Sequence, residues 1–188
     1  MTSKERFLTA LAGGVPDRVP CTPDISNYIP CERTGRPYWD IYFREDPPLW
    51  SAYLDAADYF RIEHWIASCV EIPFVYADRR ADIRRSCTFD QSRDAMVERT
   101  EYATPSGTLS EERLCFRRDP PTHLTRVMKD PIRDWAAFKH LVAVPTGLDG
   151  TLIATLRREC AVRNQAFGLV MGYPGFHSWE GHVAGGIQ

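Results

Sequence analysis

The first twenty residues constrain the fold more than any other stretch of the chain. They read Thr2-Ser3-Lys4-Glu5-Arg6-Phe7-Leu8, then Ala10-Leu11, then Gly13-Gly14-Val15-Pro16-Asp17-Arg18-Val19-Pro20. Thr2 and Glu5 stand at the spacing of a capping box, in which each side chain satisfies an amide that the first helical turn leaves open. Phe7, Leu8 and Leu11 recur at helical spacing and form one apolar face. Gly13 is placed to end the helix, because glycine accepts the left-handed backbone of a C-terminal cap. Pro16 and Pro20 then bracket the lead into a short strand, expected over Val19 to Thr22.

Downstream, Pro23, Pro30 and Pro37 each remove a donor and restrict the preceding residue, which predicts an irregular, extended loop. That loop carries Asp24, Ser26, Asn27, Tyr28, Arg33 and Arg36. Asp46-Pro47 reads as a helix start, with Leu49, Trp50, Tyr53, Leu54 and Ala57 as the packed face. The apolar run Ile62 to Pro73, broken by Glu63, His64 and Glu71, reads as a buried strand and the loop leaving it. From Ile83 to Phe116 the pattern predicts an antiparallel hairpin or small meander. It turns at Thr104-Pro105-Ser106-Gly107, where Pro and Gly take the places a type II turn wants. Asp130-Pro131 repeats the cap, with Ile132, Trp135, Ala136 and Leu141 as apolar face. Asp149 caps another helix whose inward residues are Leu152, Ile153, Leu156 and Cys160. Ala166 to Met171 reads as a strand and Gly172-Tyr173-Pro174-Gly175 as the loop leaving it. The order of strand, helix, strand, hairpin, helices and strand fits a parallel α/β architecture.

The 188 residues suffice for one domain with a core, and a net charge of -2 with no basic stripe excludes a nucleic-acid partner. No apolar run approaches the ~20 residues that cross a bilayer, and the charged N-terminus does not read as a secretory signal, so the expected location is cytoplasmic. The six cysteines, at 21, 31, 69, 87, 115 and 160, form no C-x-x-C pair and are expected as buried free thiols. The histidines, at 64, 123, 140, 177 and 182, form no His-x-Cys. His177 and His182 are five apart rather than the four that puts two ligands on one helical face.

With the opening, four later segments carry a family resemblance: Gly35-Arg36-Pro37-Tyr38-Trp39-Asp40, Glu101 through Leu109, Val127-Met128-Lys129-Asp130-Pro131, and Gly172 to Gly186. In order along the chain they resemble the uroporphyrinogen decarboxylase superfamily. That superfamily includes the decarboxylase itself and zinc-dependent methyltransferases that work with corrinoid proteins or cobalamin. The 101–109 turn resembles the methyltransferase-like branch. The resemblance implies an α/β fold, the N-terminal part of a (β/α)8 TIM barrel, with an antiparallel β-hairpin inserted at 82–118. Residues 1–188 would then be a single incomplete domain: a fragment, a truncated product, or half of a barrel finished by a completing chain, with a homodimer as the other assembly expected.

The resemblance also assigns candidate residues. In the decarboxylase branch, arginines just after the first strand hold the substrate carboxylates. Here Asp24-Ile25-Ser26-Asn27 stands there, and an anionic tetrapyrrole would be repelled; a shifted register brings Arg33 or Arg36 instead. Glu71 stands one residue from the family's aspartate after the second strand, and His182 falls on or beside its active-site tyrosine. These two are the catalytic candidates, and each also reads as a solvated side chain. Asp24, Asn27, Tyr28, Arg36 and His177 are expected to line the substrate pocket. Zinc and a corrinoid are implied for the full-length family. No metal ligand or bound cofactor is expected within this segment, and the zinc ligands are expected beyond Gln188. The expected function is the N-terminal portion of a corrinoid- or cobalamin-linked methyltransferase, inactive alone. It would move a methyl group between a corrinoid and a thiol or methoxy compound, with a small-molecule substrate and a corrinoid protein as partners. Two alternatives stand beside it. One is a divergent uroporphyrinogen decarboxylase, removing carboxyl groups from acetate side chains in porphyrin biosynthesis. The other is a non-catalytic binding subunit or module.

Overall fold

Both halves of the predicted capping box form: the Thr2 hydroxyl accepts from the Glu5 amide at 3.2 Å, and the Glu5 carboxylate accepts from the Thr2 amide at 2.8 Å. This closes the first turn of α1 (Ser3–Leu11). Gly13, at φ +77°, takes the left-handed conformation just beyond its end. The computed structural model describes residues 1–63, 74–76, 81–141 and 145–167. They fall into two compact units, one holding residues 1–36, 40–63 and 148–167, the other residues 37–39, 74–76, 81–141 and 145–147.

In the first unit α1 is followed by α2 (Tyr28–Thr34), α3 (Tyr38–Arg44, whose first two residues belong to the second unit), α4 (Leu49–Phe60) and, late in the chain, α6 (Gly150–Val162). The α4 face packs largely as its periodicity predicts: Tyr53, Ala56 and Ala57 join Ile25 and Ile62 in one buried cluster, with Leu49 against it. Leu54 packs on Cys160 of α6, flanked by Trp50 and Phe167. The α4 N-cap is Pro48, two residues past the expected Asp46. On α1 the apolar face is not the buried one: Leu8 and Leu11 are exposed, and the residue turned inward is Arg6.

Two expectations for the first unit are corrected. Val19 to Thr22 is not a strand; the Cys21 amide donates to the Glu63 carboxylate and its carbonyl accepts from the Glu63 amide, so no partner strand receives them. The extended loop at 23–37 contains α2. Pro30 is its third residue, and the first intrahelical bond runs from the Cys31 amide to the Asn27 carbonyl, so the missing proline donor costs nothing.

The second unit is built on a meander of β2 (Asp82–Asp90), β3 (Ala95–Thr104), β4 (Gly107–Phe116) and β5 (Thr122–Thr125), antiparallel throughout in the order β2-β3-β4-β5. Registers centre on Ser86↔Arg99 and Arg99↔Glu112. The β3–β4 turn is Pro105-Ser106, closed by Thr104 opposite Gly107. Ser106 does not take the positive φ of a type II turn; Gly107 carries it instead, at +131°. Helix α5 (Pro131–Phe138) packs Ala137 and Phe138 with Leu109, Val127 and Met128. Two short strands, β1 (Phe74–Tyr76) and β6 (Pro145–Leu148), pair with each other, and Thr146 Oγ1 donates to the Val75 carbonyl at 3.1 Å.

This architecture corrects the barrel expectation. The start of a (β/α)8 barrel needs parallel strands, each followed by a helix. Among the described residues four helices precede the first strand, and the principal sheet is wholly antiparallel. The 82–118 stretch, expected as an insertion on a barrel rim, is instead most of that principal sheet. No helix among the described residues is long and apolar enough to cross a membrane.

Candidate functional site

The loop between Cys21 and α2 brings three of the sequence-derived candidates together by local hydrogen bonding. The Asp24 carboxylate accepts from the Ser26 amide at 2.8 Å, and the Ser26 hydroxyl accepts from the Tyr28 amide at 3.2 Å. These two side-chain turns bend the chain, with Ser26 at φ +48°, and aim it into α2. Asp24 and Tyr28 are exposed, and Asn27 is half-buried. The Asn27 amide oxygen accepts from the Tyr53 hydroxyl of α4 at 2.7 Å, which ties the loop to the core helix. Arg36 is at the other end of α2, past the left-handed cap at Gly35, and its Nη1 sits 3.5 Å from Asp46 Oδ2. Glu71, His177, His182 and the 172–186 segment lie outside the described residues.

Beneath this loop sits a polar cluster that the sequence did not single out. Tyr42 and Cys31 neighbour Asn27 in the interior of the unit. Burial pushes the Cys31 thiol up to about 11, against a smaller opposing effect from the Tyr42 hydroxyl. Burial likewise raises the Tyr42 hydroxyl, helped by the neighbouring Cys31. A thiol held protonated is a poor nucleophile.

A second constellation, also missed, accounts for the charged residues of the opening. Arg6 grips Asp17 through Nε at 2.6 Å and Nη2 at 2.9 Å, and reaches Glu63 through Nη1 at 2.6 Å. Arg18 donates to the same Glu63 oxygen at 2.7 Å, and the Cys21 amide donates to the other at 2.6 Å. Burial opposes ionisation of Glu63, but the Cys21 amide, Arg6 and Arg18 together outweigh it and hold the carboxyl below its ordinary range. The Arg6 guanidinium holds Asp17 well below the carboxylate range, and Asp17 and Glu63 raise Arg6 in turn. Arg6, Asp17 and Glu63 are thus each held in the charged form near neutral pH, and the network fastens the opening segment. The signal that could have found it is the charge pair Asp17-Arg18 set directly after Pro16 in an otherwise apolar stretch.

The expectation of buried thiols holds for Cys31, Cys115 and Cys160, whereas Cys21 and Cys87 are exposed. Cys69 lies outside the described residues. Among the described residues no three His, Cys, Asp or Glu side chains are grouped to hold a metal ion, so the residues described supply no zinc donor set. Set against protein-family models, curated proteins and solved structures, the chain matches none of them.

Proposed function

We propose that this chain belongs to a cytoplasmic, corrinoid-linked methyltransferase-like protein, acting with a small methylated or thiol substrate and a corrinoid partner. The reading rests on the ordered sequence segments, and one observation favours it over porphyrin decarboxylation. The first loop presents the exposed Asp24 carboxylate, and the two arginines that a shifted register would offer have different partners. Arg36 pairs with Asp46, and Arg33 stacks on Tyr59 at 3.5 Å. A polycarboxylate substrate needs converging, unpaired guanidinium groups, and the loop offers an acid in their place. The residues of this chain would contribute a polar wall: Asp24, Asn27 and Tyr28, backed by Tyr53.

Two titrations of the purified chain test the reading. Hydroxocobalamin is followed by its visible absorbance and uroporphyrin by its fluorescence. A saturable cobalamin response with none for the porphyrin is expected. Saturable porphyrin binding that Arg36→Gln abolishes would assign the decarboxylase reading instead. Silence with both ligands would assign the non-catalytic module.

A further inference from the structure

Within the first unit an open cavity of about 330 Å3 lies where three helices end. Arg33 is in the last turn of α2, Asp55 and Asp58 lie in the last two turns of α4, and Arg163 is the C-cap of α6. Thr34 and the buried Pro30 and Ala52 complete the lining. The volume falls in the range of small-molecule sites.

The charges are divided between two sides. Arg163 Nη1 donates to Asp55 Oδ1 and, at 3.1 Å, to Asp58 Oδ2. One guanidinium shared by two carboxylates leaves a negative surplus, and the C-terminal ends of the helices add to it. The second oxygen of each aspartate accepts no hydrogen bond among the described residues. Arg33 supplies the opposite sign. Its Cζ stands 3.5 Å from the Tyr59 ring centroid and 5.8 Å from that of Phe60, so the aromatic stack fixes the guanidinium and leaves its N–H edge open. Among the described residues no carboxylate pairs with Arg33. Tyr59 is four residues after Asp55, so the platform under Arg33 and the acidic wall share one face of α4.

We propose that this cavity binds a small zwitterion of the amino-acid class. Its carboxylate would take the open edge of Arg33, and its ammonium group the free oxygens of Asp55 and Asp58. A plain anion would face two carboxylates, and a plain cation would face Arg33; only a ligand carrying both charges satisfies both sides. The inference is independent of the corrinoid reading.

Isothermal titration of the full chain with glycine, 4-aminobutanoate and 6-aminohexanoate tests it, with butanoate and butylammonium as single-charge controls. At least one amino acid should saturate with a Kd below about 10 mM, and the controls should bind roughly tenfold more weakly or not at all. Arg33→Gln and Asp58→Asn should each weaken the amino acid about tenfold. Arg33→Lys, which keeps the charge but loses the stacked fork, should also weaken it. Both positions are exposed, and circular dichroism would establish that each variant is folded. No saturation by any amino acid below about 10 mM overturns the proposal. So does butanoate binding as tightly as the amino acids, or binding indifferent to Arg33→Gln in a folded variant.

Discussion

Arg6 Nη1 lies 2.6 Å from Glu63 Oε1, joining the first helix to a residue 57 positions downstream in an interior where Glu63 is 1% exposed. Removing one member of a buried pair strands the other without solvent, which costs more than the pair contributes net. Glu63→Ala leaves Arg6, Arg18 and the Cys21 amide without their shared acceptor, and should destabilise the first unit by about 3–5 kcal/mol. Arg18 is half-exposed, so Arg18→Ala should cost about 1 kcal/mol or less. Urea unfolding followed by circular dichroism measures both; equal losses at the two positions would show that Glu63 is not the hub.

The same network sets an acid limit. Arg6 holds Asp17 below its ordinary value of 3.8, and Glu63 is held below its ordinary 4.5 despite its burial. In the second unit Arg133, with the Asp130 and Lys129 amides, lowers Asp134 in the same sense. A carboxyl whose folded pKa is depressed adds stability that is complete above its unfolded value and disappears as pH falls through the folded one. Melting temperature should therefore be level near neutrality. It should begin to fall as pH drops past the ordinary carboxylate values, and keep falling well below them. Asp134→Asn should start from a lower melting temperature at neutral pH and shed less of it on acidification. A melting temperature unchanged between pH 6 and roughly 2.5 would contradict this assignment.

The features legible in the sequence are those whose partners are close along it. Thr2, Asp130 and Asp149 each cap amides two or three residues away, and all three form. The turns at Asp24 and Ser26 are equally local, although the sequence offered Asp24 as pocket lining and not as a turn former. What was illegible depends on distant partners. Glu63 reads as an interruption in an apolar run until Arg6 and Arg18 fold onto it, and its claim on Cys21 removes the strand that Val19 and its neighbours suggested. The parallel barrel failed for a related reason. An alternation of elements does not say which strands pair or in which direction, and here successive strands pair through tight turns, which makes the sheet antiparallel.

Helix α5 shows a slip of one face, and a pair of substitutions tests it. The sequence places Ile132 and Trp135 inward, but Ile132 is 94% exposed and Asp134, Ala137 and Phe138 are buried. The cause is Asp134: its Oδ2 accepts from the amides of Lys129 and Asp130, both at 2.9 Å, and turns that side toward the core. Ile132→Ser should change stability by no more than about 0.5 kcal/mol. Asp130→Ala, which frees the Ile132 and Arg133 amides, should cost about 1 kcal/mol. Chemical denaturation reads both, and a larger loss at Ile132 than at Asp130 would restore the inward placement of Ile132.

The thiols divide by environment, and alkylation rates should follow. Cys21 and Cys87 are exposed, whereas Cys31 and Cys160 are enclosed and burial pushes each of their thiols up to about 11. Alkylation needs both access and thiolate, and the two buried sites lack both. Cys160 packs on Leu54, so its labelling also reports separation of α4 from α6. In native buffer at pH 8, iodoacetamide followed by peptide mass spectrometry should modify Cys21 and Cys87 first, with Cys31 and Cys160 protected until denaturant is added. Glu63→Ala should speed Cys160 labelling in step with its loss of stability, because the buried thiol reacts only through opening of the first unit. Native labelling of Cys160 as fast as that of Cys87 would mean that α6 does not pack on α4 in solution.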